Sequence, residues 1–250
     1  MRSPPIVLAF AASDPTGGAG AQADILTIAS LGCHPLSVIT ALTVQDTSGV
    51  DALLAIEAEW VERQARCVLK DTPAAAFKLG VLGSVENILA IAQILSEQPR
   101  VPLVVDPVLA SGRGDPLASD AMLEALREKI VPLATVVTPN SREADRLGGV
   151  SKLLALGCRS VLVTGTHENT PEVLNRLYDA GGLVREDRWR RLAGSYHGSG
   201  CTLASAIAAQ LAKGLELEAA VREAQEHTWN ALTAGFRPGA GQFLPNRFFQ

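Results

Sequence analysis

Six short β-rich apolar runs punctuate the first two thirds of the chain: IVLAFAA (6–12), LSVITALT (36–43), AFKLGVL (76–82), VPLVVD (101–106), ATVVT (134–138) and RSVLVT (159–164). Between most of them lie segments with apolar residues at helical spacing, among them 21–31, 85–95 and 119–130. This alternation allows few topologies. A strand followed by a helix and another strand builds right-handed βαβ units, so an α/β fold with a mainly parallel sheet and helices on both faces is expected. The near-continuous apolar character of the strands fits burial on both sides.

After Thr164 the pattern changes to a polar stretch (GTHENTPE), a hairpin or irregular region through 183–192, and two helices at about 201–213 and 216–233. No repeat or linker interrupts the chain, and residues 1–250 are expected to form a single domain. With 47% hydrophobic residues the chain can bury a sizeable core, and a net charge of −4 offers no field for nucleic acid or an anionic membrane. Its longest apolar runs are too short to span a bilayer. A soluble, cytoplasmic protein with small-molecule partners is expected. Cys33, Cys67, Cys158 and Cys201 are scattered without a C-x-x-C pair, against a disulfide framework or structural zinc.

Ligands of open parallel sheets bind beyond the carboxyl ends of the strands. The residues there are SDPTGGAG, Gln45-Asp46, Gly80–Ser84, Asp106-Pro107, Thr138-Pro139-Asn140 and Thr164–His167. Asp106 reads either as a turn cap or as a metal or electrostatic group. Asn140 and Glu143, spaced N-x-x-E, read either as a helix cap with a first-turn acid or as a polar pair near phosphate and metal. RWRR at 188–191 reads as a solvated face rather than an anion site. The G-x-G-x-x-A at Gly18–Ala23 is separated from its strand by SDPTG, which disfavours a dinucleotide turn, and no P-loop motif is present.

HGSGCTLASAIAA (197–209) supplies another phosphate device. Gly198 and Gly200 let backbone approach a ligand, and free N–H groups at the start of the following helix attract anions. Cys201 at that end is expected to have a lowered pKa, which makes it a candidate proton acceptor; close packing is the other reading. Thr202 reads equally as a capping hydroxyl.

These motifs, together with SDPTGGAGAQADILT (13–27), SVITALTVQDTSGV (37–50), FKLGVLGS (77–84), VVDPVL (104–109) and VTPNSREA (137–144), resemble the hydroxymethylpyrimidine and phosphomethylpyrimidine kinases of thiamine biosynthesis, within the ribokinase-like superfamily. The resemblance implies a three-layer α/β/α sandwich. It implies magnesium-dependent transfer of the γ-phosphoryl of ATP to the hydroxymethyl group of a pyrimidine and then to the resulting monophosphate, by an enzyme that is commonly a homodimer. Carried over, Gln45 would read the pyrimidine edge, with Ala12, Ala19, Asp24, Val81 and Val108 lining its pocket. Gly198, Ser199, Gly200 and Thr202 would meet the ATP phosphates, with Asn140, Thr164 and Glu143 beside them. Cys201 would be the general base, and Glu143 and Asp106 would face the metal.

Two departures stand out. VLVTGTH places Thr164 where the family usually has lysine, removing a cation worth on the order of a hundredfold in rate. Only GGVS remains between Leu147 and Lys152, where about one more helix is usual. A pyridoxal-type vitamer kinase, and a pyrimidine-binding relative with weak transfer, are the alternatives. A thiol acyl transferase using Cys201 and His197 lacks an orienting partner.

Overall fold

The computed structural model describes residues 3–111, 114–168 and 170–249; Asn169 of the GTHENTPE stretch lies outside them. The strands are β1 (Ile6–Ser13), β2 (His34–Gln45), β3 (Val50–Ala55), β4 (Ala76–Leu79), β5 (Leu103–Val105), β6 (Val136–Val137), β7 (Val161–Thr164), β8 (Glu172–Asp179) and β9 (Gly182–Arg190). They form one nine-stranded sheet in the order β3-β2-β1-β4-β5-β6-β7-β8-β9. The six strands from β2 to β7 in that order pair in parallel, while β3 and the β8–β9 hairpin pair antiparallel at the two edges.

The helices are α1 (Gly20–Ser30), α2 (Ala58–Asp71), α3 (Val85–Ser96), α4 (Asp120–Ala125), α5 (Ser141–Arg146), α6 (Val150–Ala155), α7 (Ser199–Ala212) and α8 (Leu217–Thr233). Strand alternation splits the core into two layers. Leu8, Phe10, Leu103 and Val105 join Val61, Ile88 and Ile91 of α2 and α3 on one face. Val7 and Val104 join Ile28, Ile207 and Val221 of α1, α7 and α8 on the other. The result is the expected three-layer sandwich.

Three local features differ from the sequence reading. Residues 50–71, which periodicity did not single out, supply the edge strand β3 and helix α2. The 119–130 helix is interrupted: α4 passes into a π-turn at Leu126–Ile130 and a tight turn at Val131–Leu133, where Pro132 cannot donate a helical hydrogen bond. The hairpin starts earlier than 183. The shortened segment after Leu147 still carries α6, because Gly148 and Gly149 take φ of 97° and 86° and turn the chain within two residues.

From β1 the chain runs outward through β2 and β3 and returns to β4 on the other side of β1, so the order reverses between β1 and β4. At such a switch point the loops after neighbouring strands part and leave a crevice.

Candidate active site

A cavity of about 750 Å³ opens at the carboxyl ends of these strands. One end is walled by Ala12, Ala19, Gln45, Val81 and Val108. Its middle is lined by Lys78, Asp106, Asn140, Glu143, Thr164, Gly198, Ser199, Gly200 and Cys201, and its far end by aromatic and polar residues of β9 and α8, including Trp189 and Trp229.

Asp24 is not in the pocket wall, and that expectation is corrected. It is fully buried on α1, with Oδ1 2.8 Å from Lys78 Nζ and accepting a 2.7 Å hydrogen bond from Ser205. The resemblance placed a carboxylate toward the ligand, but the nearest cation to it belongs to the protein. Lys78, also fully buried, reaches the cavity from β4. Burial alone would lower the pKa of its ammonium, but the charges of Asp24, Cys201 and Asp106 outweigh burial and hold it above the ordinary value.

The glycine turn is built as a helix start, with a different division of labour from the one expected. Gly198 is the N-cap of α7 at φ 80°, and a side chain there would run into the carbonyl of Gly18, so its glycine is demanded by the protein's own backbone. Thr202 does not line the cavity. Its hydroxyl donates to Gly198 O at 2.8 Å and accepts from Arg247 Nε at 3.1 Å, so it ties the helix start together and does not reach a phosphate. Arg247, buried near the chain end, also donates to the carbonyls of Gly17 and Gly18 and so joins the α7 start to the 14–19 loop. Asp14 fixes that loop by accepting from Thr16 N, Thr16 Oγ1 and Ala19 N, and lies 2.8 Å from His197 Nε2. Asp14 thus supplies His197 with the partner that the sequence reading found missing, but among the described residues no hydrogen bond joins His197 to Cys201, so no thiol–imidazole pair is formed.

The lowered Cys201 pKa is also corrected. The thiol is buried at the helix start, and desolvation pushes it up to about 12; the Lys78 ammonium opposes this, while Asp106 and Asp24 add to it. Burial beats the helix end here because the field of a helix terminus is a fraction of a charge, whereas the cost of desolvating a thiolate is paid in full.

Asn140 and Glu143 take the capping reading and also line the cavity. They form a reciprocal capping box on α5, Asn140 Oδ1 accepting from Glu143 N and Glu143 Oε2 from Asn140 N, each at 3.0 Å, and both line the cavity. Glu143 Oε1 further accepts from Leu109 N at 3.2 Å. Burial and the Asp106 charge push Glu143 up to about 7. Burial pushes Asp106 up to about 6 against the pull of Lys78, and its Oδ2 is buried without a hydrogen-bond partner. Thr164 lies beside Asn140 in the sheet, its N–H donating to Pro139 O at 2.9 Å.

Lys78, His197, Asp14 and Arg247 were not among the residues singled out for this site. A lysine inside the apolar run AFKLGVL and an aspartate within the apolar helix 21–31 were visible signals of a buried pair. Arg247 sits in LPNRFF, where no periodicity marks it.

Among the described residues no helix is long and apolar enough to cross a membrane. The sequence profile for phosphomethylpyrimidine kinase matches residues 14–246. The chain is 40% identical over 255 residues to the hydroxymethylpyrimidine/phosphomethylpyrimidine kinase of Streptomyces coelicolor, covering 96% of this chain and 93% of that one. Among solved structures it is similar to Bacillus subtilis pyridoxal kinase in an ADP complex, with TM-score 0.92 and 28% identity over 99% of this chain and 98% of that one. It is also similar to phosphomethylpyrimidine kinase of Clostridium difficile, with TM-score 0.80 and 33% identity over 91% of this chain and 99% of that one. Profile, sequence and fold agree, and the chain belongs to the phosphomethylpyrimidine kinase family.

Proposed function

We propose that this protein transfers the γ-phosphoryl of ATP to the hydroxymethyl group of 4-amino-5-hydroxymethyl-2-methylpyrimidine, and then to the monophosphate to give the diphosphate. The observation that carries this reading is one continuous cavity that joins a small pocket to an anion-binding helix start. The pocket walls are Ala12, Ala19, Val81 and Val108, with one amide, Gln45, that has no partner among the described residues. That amide can both donate to and accept from an aminopyrimidine edge. The Gly198–Gly200 turn offers N–H groups to phosphate, and the far aromatic end has room for the nucleotide base.

Among the described residues no three His, Cys, Asp or Glu side chains gather as a metal cage. Magnesium delivered on nucleotide phosphates needs only one or two carboxylates, and Asp106, with its unpartnered oxygen, and Glu143 meet that need. When bound, the cation would neutralise charge on the phosphates. This chain's groups do the rest: Gln45 orients the acceptor, the α7 start holds phosphate, and Cys201 takes the hydroxyl proton in the first transfer. The thiol carries its own proton in the resting protein, so this role requires a thiolate formed in the loaded site, which the Lys78 ammonium favours.

We further read the enzyme as a homodimer acting in the cytoplasm, where ATP is supplied. The β2–β3 ribbon presents Leu42, Val44 and Leu54 on one exposed face while Thr43, Gln45 and Val50 line the cavity. Association through that face would cover apolar surface at a sheet edge, and sedimentation velocity tests it.

Incubation with ATP, magnesium and the hydroxymethylpyrimidine, followed by phosphorus NMR, tests the main reading: mono- and diphosphate are expected, and neither appearing while the pyrimidine binds would overturn it. Similarity to pyridoxal kinases motivates a parallel assay with pyridoxal, whose kcat/KM is expected to be the lower of the two. Activity should also fall with acid. Glu143 and Asp106 lose their negative charge as pH drops through about 7 and about 6, so log kcat/KM should decline below pH 7 with a slope that steepens below pH 6. Glu143→Gln should remove the upper part of that limb.

A further inference from the structure

Among the described residues, five cationic side chains other than histidine line the cavity: Lys78, Arg142, Arg146, Arg190 and Arg191. Four of them have other duties or lie elsewhere. Lys78 is locked to Asp24. Arg191 donates to the carbonyls of Gly165, Thr166, Glu168 and Thr170, which holds the turn after β7 in place. Arg146 approaches Asp120 at 3.9 Å. Arg190 ends β9 at the aromatic end, where its backbone carbonyl accepts from Trp229 Nε1; its guanidinium also has no partner among the described residues, and its place at that end is what sets it apart.

Arg142 differs. It lies in the first turn of α5, two residues after Asn140, which is bridged to Thr164, and just before Glu143. Among the described residues its guanidinium makes no hydrogen bond or ion pair. The capping box anchors the backbone on both sides of it, so its root is fixed at the phosphate end of the cavity. Its nearest charged neighbourhood is repulsive: His167, also in the wall, is held below its ordinary pKa by burial and then by Arg142 and Arg191. Arg142 is exposed at the cavity wall, so its guanidinium is free to meet an anion that enters there.

We propose that Arg142 grips the terminal phosphates of the nucleotide, supplying from α5 the positive charge that Thr164 does not supply from β7. A planar guanidinium can bind a phosphate through two parallel N–H bonds, whereas the threonine hydroxyl has a single proton to donate. The assignment rests on the kinase reading and adds to it which residue of this chain meets the transferred group.

The test compares wild type, Arg142→Gln, Arg142→Lys and the double variant Arg142→Gln/Thr164→Lys. ATP and AMP affinities are measured calorimetrically without acceptor, and kcat and KM for ATP with it. Arg142→Gln is expected to weaken ATP binding at least tenfold with AMP affinity unchanged, and to lower kcat/KM for ATP by about a hundredfold. Arg142→Lys should recover part of the loss, and the double variant should recover at least tenfold of it relative to Arg142→Gln alone. Arg142→Gln within threefold of wild type on both measures would overturn the proposal, as would equal weakening of ATP and AMP, which would mark a disturbed fold. If wild type binds ATP but phosphorylates neither acceptor, the acceptor reading fails while the ATP-against-AMP comparison still decides Arg142.

Discussion

Lys78→Met should destabilise the protein by about 3–5 kcal/mol in urea or guanidinium unfolding, far more than the loss of one long side chain from the surface would. Both Lys78 and Asp24 are fully inaccessible, and the ammonium lies 2.8 Å from one carboxylate oxygen and 2.9 Å from the other. Removing the lysine leaves the Asp24 charge in the core between α1 and α7 with the Ser205 hydroxyl as its one remaining side-chain hydrogen-bond partner among the described residues. The cost comes from the stranded charge and not from a lost attraction, so the double variant Lys78→Met/Asp24→Leu should recover most of it. A single variant within 1 kcal/mol of wild type would mean that removing the lysine strands no charge and that the pair is not ionic. Asp24→Leu alone should be damaging for the mirror-image reason.

The pair also explains what was readable in the sequence and what was not. The near-continuous apolar runs of β1 and β5 and the helical spacing between the strands depend on local chemistry, and they foretold a parallel sheet with two helical layers. Residues 50–55 escaped because β3 is an edge strand whose exposed face sets Leu54 opposite Leu42, so its apolar residues report a surface and not a core, whereas α2 buries Val61 and Ala65 at helical spacing and was open to a periodicity reading. At the site, Gln45, Asp106, Asn140, Glu143, Thr164 and Cys201 come together because strand ends converge, and listing residues after strands was enough to find most of them. Asp24 and Thr202 illustrate the limit: one turn of helix separates a residue that faces the cavity from one that faces the core. Ala19 and Gly20 line the cavity while Asp24, four residues after Gly20, is paired beneath it. Long-range partners such as Asp14 with His197, or Arg247 with Gly17 and Gly18, connect segments near opposite ends of the chain and leave no local pattern.

Burial also reverses the simplest electrostatic expectation for Cys201, and this sharpens its test. Cys201→Ala is expected to lower kcat for the first phosphorylation by about 10²–10⁴-fold while changing the second by less than about threefold. The first acceptor is an alcohol that must lose a proton; the second is a phosphate monoester already largely ionised at neutral pH, for which positioning and charge neutralisation suffice. Since burial holds the resting thiol at about 12, the loaded site has to draw that proton away, and among the described residues the positive groups that face the cavity's middle are Lys78 and, on the proposal above, Arg142. Thiolate absorbance in the ultraviolet should therefore rise when a non-transferable ATP analogue and the pyrimidine bind together, and should not rise in Cys201→Ala. Cys201→Ser keeps size and polarity but has a far weaker acid, so it should repair packing without restoring the first step. If serine restores both steps, or if alanine slows both alike, Cys201 acts by shaping the first turn of α7, and the proton of the hydroxymethyl group leaves by another route.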